Sequence, residues 1–333
     1  MAWFDGFLAT GVVDCTQDPA VLDSSGWWAV MCTFEGSGVF VRFRDVRRAP
    51  LPVSTWQGPP RAAWHSPMGR AEYVAACAEV RRRIFLGDVY QVNVCRVLSA
   101  DVDPEADIVG LAGVLARGNP APFAGVLRVG DLRVVSASPE LFLGRRGAVV
   151  ESRPIKGTGL TEAHLQPKDA TENVMIVDLV RNDLSIVCEP GSVAVPSLLQ
   201  VQRHPGLVHL VSTVRGRLRE DVSWAELLEA TWPPGSVSGA PKSSALRLIG
   251  DLEAVERGPY CGAVGYVDAD ARTARLAVGI RTFWMDGSAL RFGTGAGITW
   301  GSDPDAEWAE TELKASRLLT LASSEHTQYR TRA

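Results

Sequence analysis

Ala274-Arg275-Leu276-Ala277-Val278-Gly279-Ile280-Arg281-Thr282-Phe283 is followed by Met285-Asp286-Gly287 and then by Ala289-Leu290-Arg291-Phe292-Gly293. Two strand-like runs with an Asp-Gly pair between them read as a hairpin, so the two strands are antiparallel. The same signature lies upstream, where Phe123–Arg128 and Arg133–Ala137 flank Val129-Gly130-Asp131. Further strand-like runs are Trp28–Phe34, Val39–Phe43, Val89–Leu98, Ala148–Ser152, Val193–Val201, Val208–Leu218 and Cys261–Val267. Helical periodicity appears over Pro67–Leu86, Ile108–Ala116, Thr171–Leu184, Trp224–Ala230, Lys242–Glu256 and Pro304–Leu321. Long antiparallel runs with helices between them, rather than strict βαβ alternation, predict an α+β layered fold. The proline-rich stretch 45–66 reads as an irregular connection.

The chain has 333 residues, 46% of them hydrophobic and 22% charged, enough to bury a large core. Its net charge of -4 lacks the basic excess of a nucleic-acid footprint. The Arg81-Arg82-Arg83 cluster reads as a solvated helix face. No basic segment followed by an apolar stretch opens the sequence, so no signal peptide is expected. The apolar run Trp27–Phe34 is far shorter than the roughly 20 residues a membrane helix needs. Six cysteines, at 15, 32, 77, 95, 188 and 261, show no C-x-x-C pairing. Reduced, buried thiols in a cytoplasmic enzyme are expected, without nucleic-acid or membrane partners.

Of 34 basic residues only four are lysines: Lys156, Lys168, Lys242 and Lys314. Lysine differs from arginine in carrying a compact charge and an amine that can lose its proton. Three of the four sit in Gly/Pro-rich or carboxylate-rich motifs. In Arg153-Pro154-Ile155-Lys156-Gly157-Thr158, proline and glycine are expected to stop a strand and place Lys156 at its end. A nucleophilic role requires the neutral amine, and burial beside a cation such as Arg153 would favour it. A surface lysine at a turn is the simpler alternative. Upstream, Ser136-Ala137-Ser138-Pro139-Glu140 supplies a carboxyl group.

Two helices carry further acids. In Glu172–Leu184, Glu172 shares a face with Met175, Ile176, Leu179 and Val180, so it needs a partner there. A metal ion is one solution and Lys168, four residues earlier, is another. The C-terminal helix opens Ser302-Asp303-Pro304-Asp305 and aligns Glu307, Glu310 and Lys314, which also fits an ordinary ion pair. Two glycine-rich segments, Gly235-Ser236-Val237-Ser238-Gly239-Ala240-Pro241-Lys242 and Gly293-Thr294-Gly295-Ala296-Gly297-Ile298, could bring backbone N–H groups to an anion. Neither is a Walker A loop or a dinucleotide fingerprint. His209 and Arg281 each interrupt an apolar strand, where either residue is commonly structural.

In this order, the segments Tyr90-Gln91-Val92-Asn93, Pro154–Thr158, Glu172–Asp183, Gly235–Lys242 and Gly295–Ile298 resemble the chorismate-utilising enzymes. That family includes anthranilate, aminodeoxychorismate, isochorismate and salicylate synthases, and the similarity runs from about Pro67 to Leu321. The resemblance implies a large antiparallel β-sandwich with helices packed outside and the active site deep between the sheets. It divides the chain into a strand-rich segment, 1–66, packed on a catalytic domain, 67–323, with a disordered tail at 324–333. In water-using members the position of Gln91 is a water-activating lysine, a role an amide cannot take. Anthranilate synthases carry alanine where this chain has Lys156, whereas aminodeoxychorismate synthases carry lysine, so the resemblance points to the latter branch.

That branch implies Mg²⁺ held by Glu172 and Glu310, covalent attack by Lys156, Glu140 as general acid, and an active-site histidine at His209. It implies substrate contacts at Ser236, Tyr266, Arg281, Gly295, Gly297 and Lys314. The implied product is 4-amino-4-deoxychorismate, an intermediate of para-aminobenzoate and folate biosynthesis. None of the six cysteines lies in a Gly-x-Cys-x-Gly elbow, so ammonia is expected from a separate glutaminase subunit. Larger relatives carry a longer N-terminal region that contributes to a tryptophan site, and no tryptophan regulation is expected here.

Overall fold

The computed structural model describes residues 1–159, 161–165, 167–204 and 207–323, so the predicted tail at 324–333 lies outside the described residues. Among the described residues there are seventeen strands and six α-helices. The N-terminal third holds β1 (Ala2–Phe4), β2 (Phe7–Thr16), β3 (Trp27–Cys32), β4 (Gly38–Arg48), helix α1 (Arg70–Phe85), β5 (Gln91–Asp101) and α2 (Ile108–Gly118). Next come β6 (Phe123–Val129), β7 (Leu132–Ser138), β8 (Leu141–Arg146), β9 (Val149–Arg153), β10 (Ile155–Gly159), α3 (Pro167–Ser185), β11 (Ala194–His204) and β12 (Leu207–Arg217). The remainder is α4 (Trp224–Thr231), β13 (Gly239–Ala240), α5 (Lys242–Leu252), β14 (Ala263–Asp268), β15 (Thr273–Val278), β16 (Thr282–Asp286), β17 (Ala289–Ile298) and α6 (Pro304–Ala322).

Every pairing among the described strands is antiparallel. The pairings form one continuous path. From β11 it runs through β12, β9, β8, β15, β14, β3, β4 and β2, and then through β1, β6, β7, β16, β17, β5 and β13. Both predicted hairpins, β6–β7 and β16–β17, are present. One apolar core is built on β3, whose six residues are all buried, with Trp28, Phe40, Tyr73, Leu143 and Leu276. The second lies under α2 and α6, around Leu111, Leu115, Phe283, Leu290 and Leu318. Apolar side chains on both faces thus give the sheet two sides to cover, which helices do.

Local chemistry sets the helix ends. Asp107 caps α2 at Val109 N–H, Ser223 and Glu226 form a capping box on α4, and Asp303 caps α6 ahead of Pro304. No described helix is long and apolar enough to cross a membrane. The strand-rich segment 1–66 supplies β1–β4 to the middle of the sheet, with β1 on β6 and β3 on β14. Two features differ from the sequence reading. Strand β8 had no period-2 signal, because four of its six residues in a row are buried. Lys156 is not at a strand end: the chain resumes pairing as β10 beyond Pro154, with Lys156 opposite Leu210 and a bulge before Thr158. Pro154 lacks an N–H but its carbonyl still accepts from Ser212 N–H at 3.1 Å, so the ladder passes through it.

Candidate active site

The site forms where the two ends of this strand path meet. Strand β10 belongs to one end, β5 and β13 to the other. The 3₁₀ turn Gly235–Val237 precedes β13, and the Ser236 carbonyl accepts from Lys156 Nζ at 2.9 Å and from Asn93 Nδ2 at 3.0 Å. One backbone oxygen therefore joins β10 to β5. The Ser236 hydroxyl meets the Glu140 carboxyl group, which is almost fully buried at 4% exposure. Glu140 is held from behind: its N–H bonds Ser138 Oγ and its carbonyl accepts from Val278 N–H.

Burial pushes the Glu140 carboxyl up to about 7, with the Ser236 hydroxyl and the Lys156 charge acting weakly against it. Burial also lowers Lys156, opposed by Glu172, Glu140 and Glu310, while Lys314 assists. The two shifts converge: burial favours the uncharged amine and the uncharged acid, the forms in which one can attack and the other can donate a proton. The cation expected beside Lys156 was Arg153, but Arg153 is ion-paired to Glu151 at 2.7 Å and Lys314 takes that place.

Helices α3 and α6 bring carboxylates to the same region. Burial raises both Glu172 and Glu307; Lys156 and Lys168 act against it at Glu172, where Asp169 and Glu307 add to it, and at Glu307 the Ser302 hydroxyl, Lys168 and Lys314 act against it while Glu310 adds to it. Glu310 is lowered overall; burial raises it, but the Lys314 ammonium at 2.6 Å, together with Lys168 and Lys156, more than offsets this. The ordinary i,i+4 pair on α6 is thus formed, and Lys314 Nζ also donates to Gly295 O at 3.2 Å. Lys168 acts electrostatically on all three, lowering Glu172, Glu307 and Glu310. Among the described residues no three His, Cys, Asp or Glu side chains form a ready metal cage. The hard carboxylate oxygens of Glu172 and Glu310, beside a further acid, nonetheless suit Mg²⁺, which takes one or two protein carboxylates and completes its shell from substrate and water.

Arg281 sits in the left-handed region at φ 53°, and burial disfavours its charge. Its carbonyl accepts from Ala137 N–H, which places it beside the Ser138–Glu140 corner. Among the described residues it has no ion pair, so it is a desolvated cation available to an anionic ligand. His209 is buried on β12, opposite Thr158 of β10. Tyr266 does not join the group: its ring stacks on Trp27 at 5.3 Å and its hydroxyl bonds Asp5. Lys242 is also accounted for structurally, by a 2.7 Å ion pair with Asp183.

The glycines of β17 serve close approach across the ladder to β5. A Cβ at Gly295 would lie 2.6 Å from Cys95 Sγ, and one at Gly297 would lie 2.2 Å from Gln91 Nε2. Gln91 is fully buried, and neither atom of its amide has a partner among the described residues. Gly297→Ala is expected to push this amide out of place. It should cost about 1–3 kcal/mol of stability by overpacking. A urea melt unchanged from wild type would contradict the contact. Sequence reading placed Asn93 in the Tyr90–Asn93 segment but gave it no role at the site; that segment was the signal available.

An α+β sheet whose ends close on an amine, a buried acid and a carboxylate cluster matches a known enzyme class. Residues 43–320 match the model of the chorismate binding enzyme family, and the chain belongs to that family. It is 37% identical over 300 residues to anthranilate synthase component 1 of Streptomyces coelicolor, covering 83% of this chain and 58% of that one. It is 38% identical over 270 residues to aminodeoxychorismate synthase component 1 of Klebsiella aerogenes, covering 78% and 59%. The chain thus spans about three fifths of the length of these curated relatives. In fold it is similar to anthranilate synthase component I of Streptococcus pneumoniae, with a TM-score of 0.81 at 23% identity over 94% of this chain and 91% of that one. It is likewise similar to the menaquinone-specific isochorismate synthase of Escherichia coli, with a TM-score of 0.78 at 19% identity over 95% and 86%. The expected antiparallel sheet with external helices is therefore borne out.

Proposed function

We propose that this chain aminates chorismate at carbon 4, giving 4-amino-4-deoxychorismate, with ammonia delivered by a separate glutaminase in the cytoplasm. The observation that carries the reading is Lys156 itself, on the same Ser236 residue as the buried acid Glu140. Lys156, as the free amine, attacks carbon 2 and forms a C–N bond. Both ring double bonds shift, from carbons 1–2 to 1–6 and from carbons 5–6 to 4–5, and the carbon 4 hydroxyl leaves as water with the proton of Glu140. Ammonia then bonds to carbon 4, both double bonds shift back and the lysine is expelled. Glu140 regains a proton from the added nitrogen, and the enolpyruvyl ether stays intact.

The substrate is a dianion. Arg281, Lys314 and the backbone of Gly295 and Gly297 hold its carboxylates in this reading, with Ser236 and His209 lining the ring. Glu172 and Glu310 would hold Mg²⁺, which when bound supplies electrophilic polarisation of a substrate carboxylate. Supporting the metal assignment, carboxylates from two helices crowd one region, and burial together with neighbouring acids raises Glu172 and Glu307. Glu172→Gln is expected to weaken Mg²⁺ binding by about 10–100-fold. Isothermal titration of the protein with MgCl₂ reads this directly, and an unchanged affinity would remove Glu172 from the metal site.

Relatives named for anthranilate and for aminodeoxychorismate formation match this chain at 37% and 38% identity, so the product must be identified directly. Incubation with chorismate, Mg²⁺ and ammonium chloride should give the 4-amino compound and no anthranilate fluorescence. Strong anthranilate fluorescence with release of pyruvate would replace this reading with the other branch.

A further inference from the structure

Arg257 and Glu253 form a buried ion pair outside the groups considered so far, with side-chain exposures of 1% and 6%. Glu253 terminates α5 and Arg257 follows it by four residues. Their side chains meet twice, Nε to Oε2 at 2.8 Å and Nη2 to Oε1 at 2.6 Å. The guanidinium lies 4.2 Å over the Phe34 ring. Its remaining contacts are with two backbone segments. Nη1 donates to Val237 O at 2.8 Å, and Nη2 donates to Asn93 O at 2.9 Å. Glu253 Oε1 accepts from Cys95 N–H at 2.9 Å.

These contacts fall where a ladder runs out. Strand β13 is two residues long and pairs only with Gln91 and Val92 of β5, and Ser238 O adds one further bond, to Asn93 N–H. Past that point the buried edge of β5 would leave Asn93 C=O and Cys95 N–H unpaired, at a cost a buried chain cannot ignore. Arg257 and Glu253 take the two orphan groups and so continue the missing strand with side chains. Because the same guanidinium also holds Val237 O, it fixes the turn 235–237 against β5. That turn carries the Ser236 carbonyl shared by Lys156 and Asn93.

We propose that the Arg257–Glu253 pair is a positioning device for the reaction, setting the Ser236 carbonyl, and through it Lys156, relative to β5. The inference rests on Lys156 acting on the substrate. An ion pair of purely structural worth would change stability and leave the chemistry of the folded protein intact. A positioning pair changes turnover more than substrate affinity, since it acts on the reacting amine and not on the carboxylate contacts.

The test compares wild type with Arg257→Lys, in which an ammonium keeps the charge but cannot reach all three acceptors. Turnover is followed as chorismate consumption, so the comparison stands whatever the product, and a failure of the amination reading would appear in the wild-type product instead. Amide exchange of peptides covering 235–240 and 141–146 is measured without substrate. The expected result is kcat lowered by about tenfold or more with KM for chorismate within about threefold, together with faster exchange in 235–240 but not in 141–146. An unchanged kcat, a loss confined to KM, or exchange that rises equally in both peptides would overturn the proposal. Should Arg257→Lys not fold, Glu253→Gln is judged by the same three criteria, since its amide oxygen can still accept from Cys95 N–H.

Discussion

Replacing Lys156 with alanine is expected to lower 4-amination of chorismate by at least about a thousandfold while leaving chorismate binding within a few fold. The asymmetry follows from position. Lys156 Nζ is anchored to Ser236 O, beside the acid Glu140. The cations assigned to the substrate carboxylates, Arg281 and Lys314, remain in the variant. Lys156→Arg separates two accounts of the loss. A guanidinium restores positive charge in the pocket but cannot deprotonate to attack carbon 2, so covalent chemistry predicts that arginine is as inactive as alanine. If charge alone mattered, arginine would rescue. A second consequence is independent of turnover: Lys156 holds the Glu140 carboxyl down, so removing it should raise Glu140 further above about 7. Infrared titration of the Glu140 carboxyl in the alanine variant reads that shift, and a downward movement would mean the two groups are not neighbours in solution.

Much of this arrangement was legible in the sequence, and the exceptions have physical reasons. The hairpins around Gly130 and Gly287 were visible because turn chemistry is local. Helix α6 was readable from its Asp303 cap and Pro304. By contrast, β8 is buried along four consecutive residues, which erases the alternation that marks a half-exposed strand. The N-terminal strands were not foreseen as the middle of the sheet, since pairing across more than a hundred residues, as of Ala2 with Leu127, leaves no local trace. At the site, Lys156 stood out because lysine is scarce here. Arg257 did not, because Glu253 and Arg257 four residues apart look like any solvent-facing pair until burial is known. Tyr266 was assigned to substrate by resemblance alone, and the structure gives its hydroxyl to Asp5 instead.

Glu140→Gln should produce opposite effects on activity and stability. As general acid Glu140 must carry its proton, so wild-type turnover is expected to fall as pH rises through about 7. The glutamine variant has no such proton at any pH; it should lose roughly 10²–10⁴ in turnover and the falling limb with it. Stability runs the other way. The folded carboxyl group titrates at about 7 against an ordinary value of 4.5, so its favourable contribution is complete below about 4.5 and disappears as pH climbs to about 7. Above that range the fold must hold a buried carboxylate. The displacement of about 2.5 units corresponds to roughly 3 kcal/mol. A glutamine can keep an oxygen on the Ser236 hydroxyl and has no charge to bury. Relative to wild type it should therefore gain up to about 3 kcal/mol at pH 8 and nothing comparable at pH 4.5. Urea melts at the two pH values measure this difference of differences. A variant no better placed at pH 8 than at pH 4.5 would mean that Glu140 ionises freely, and a freely ionised carboxylate cannot protonate a departing hydroxyl at neutral pH. In the proposed reaction, a neutral carboxyl group at that point is what the departure of the hydroxyl requires, which sets the stability cost of Glu140 against its use.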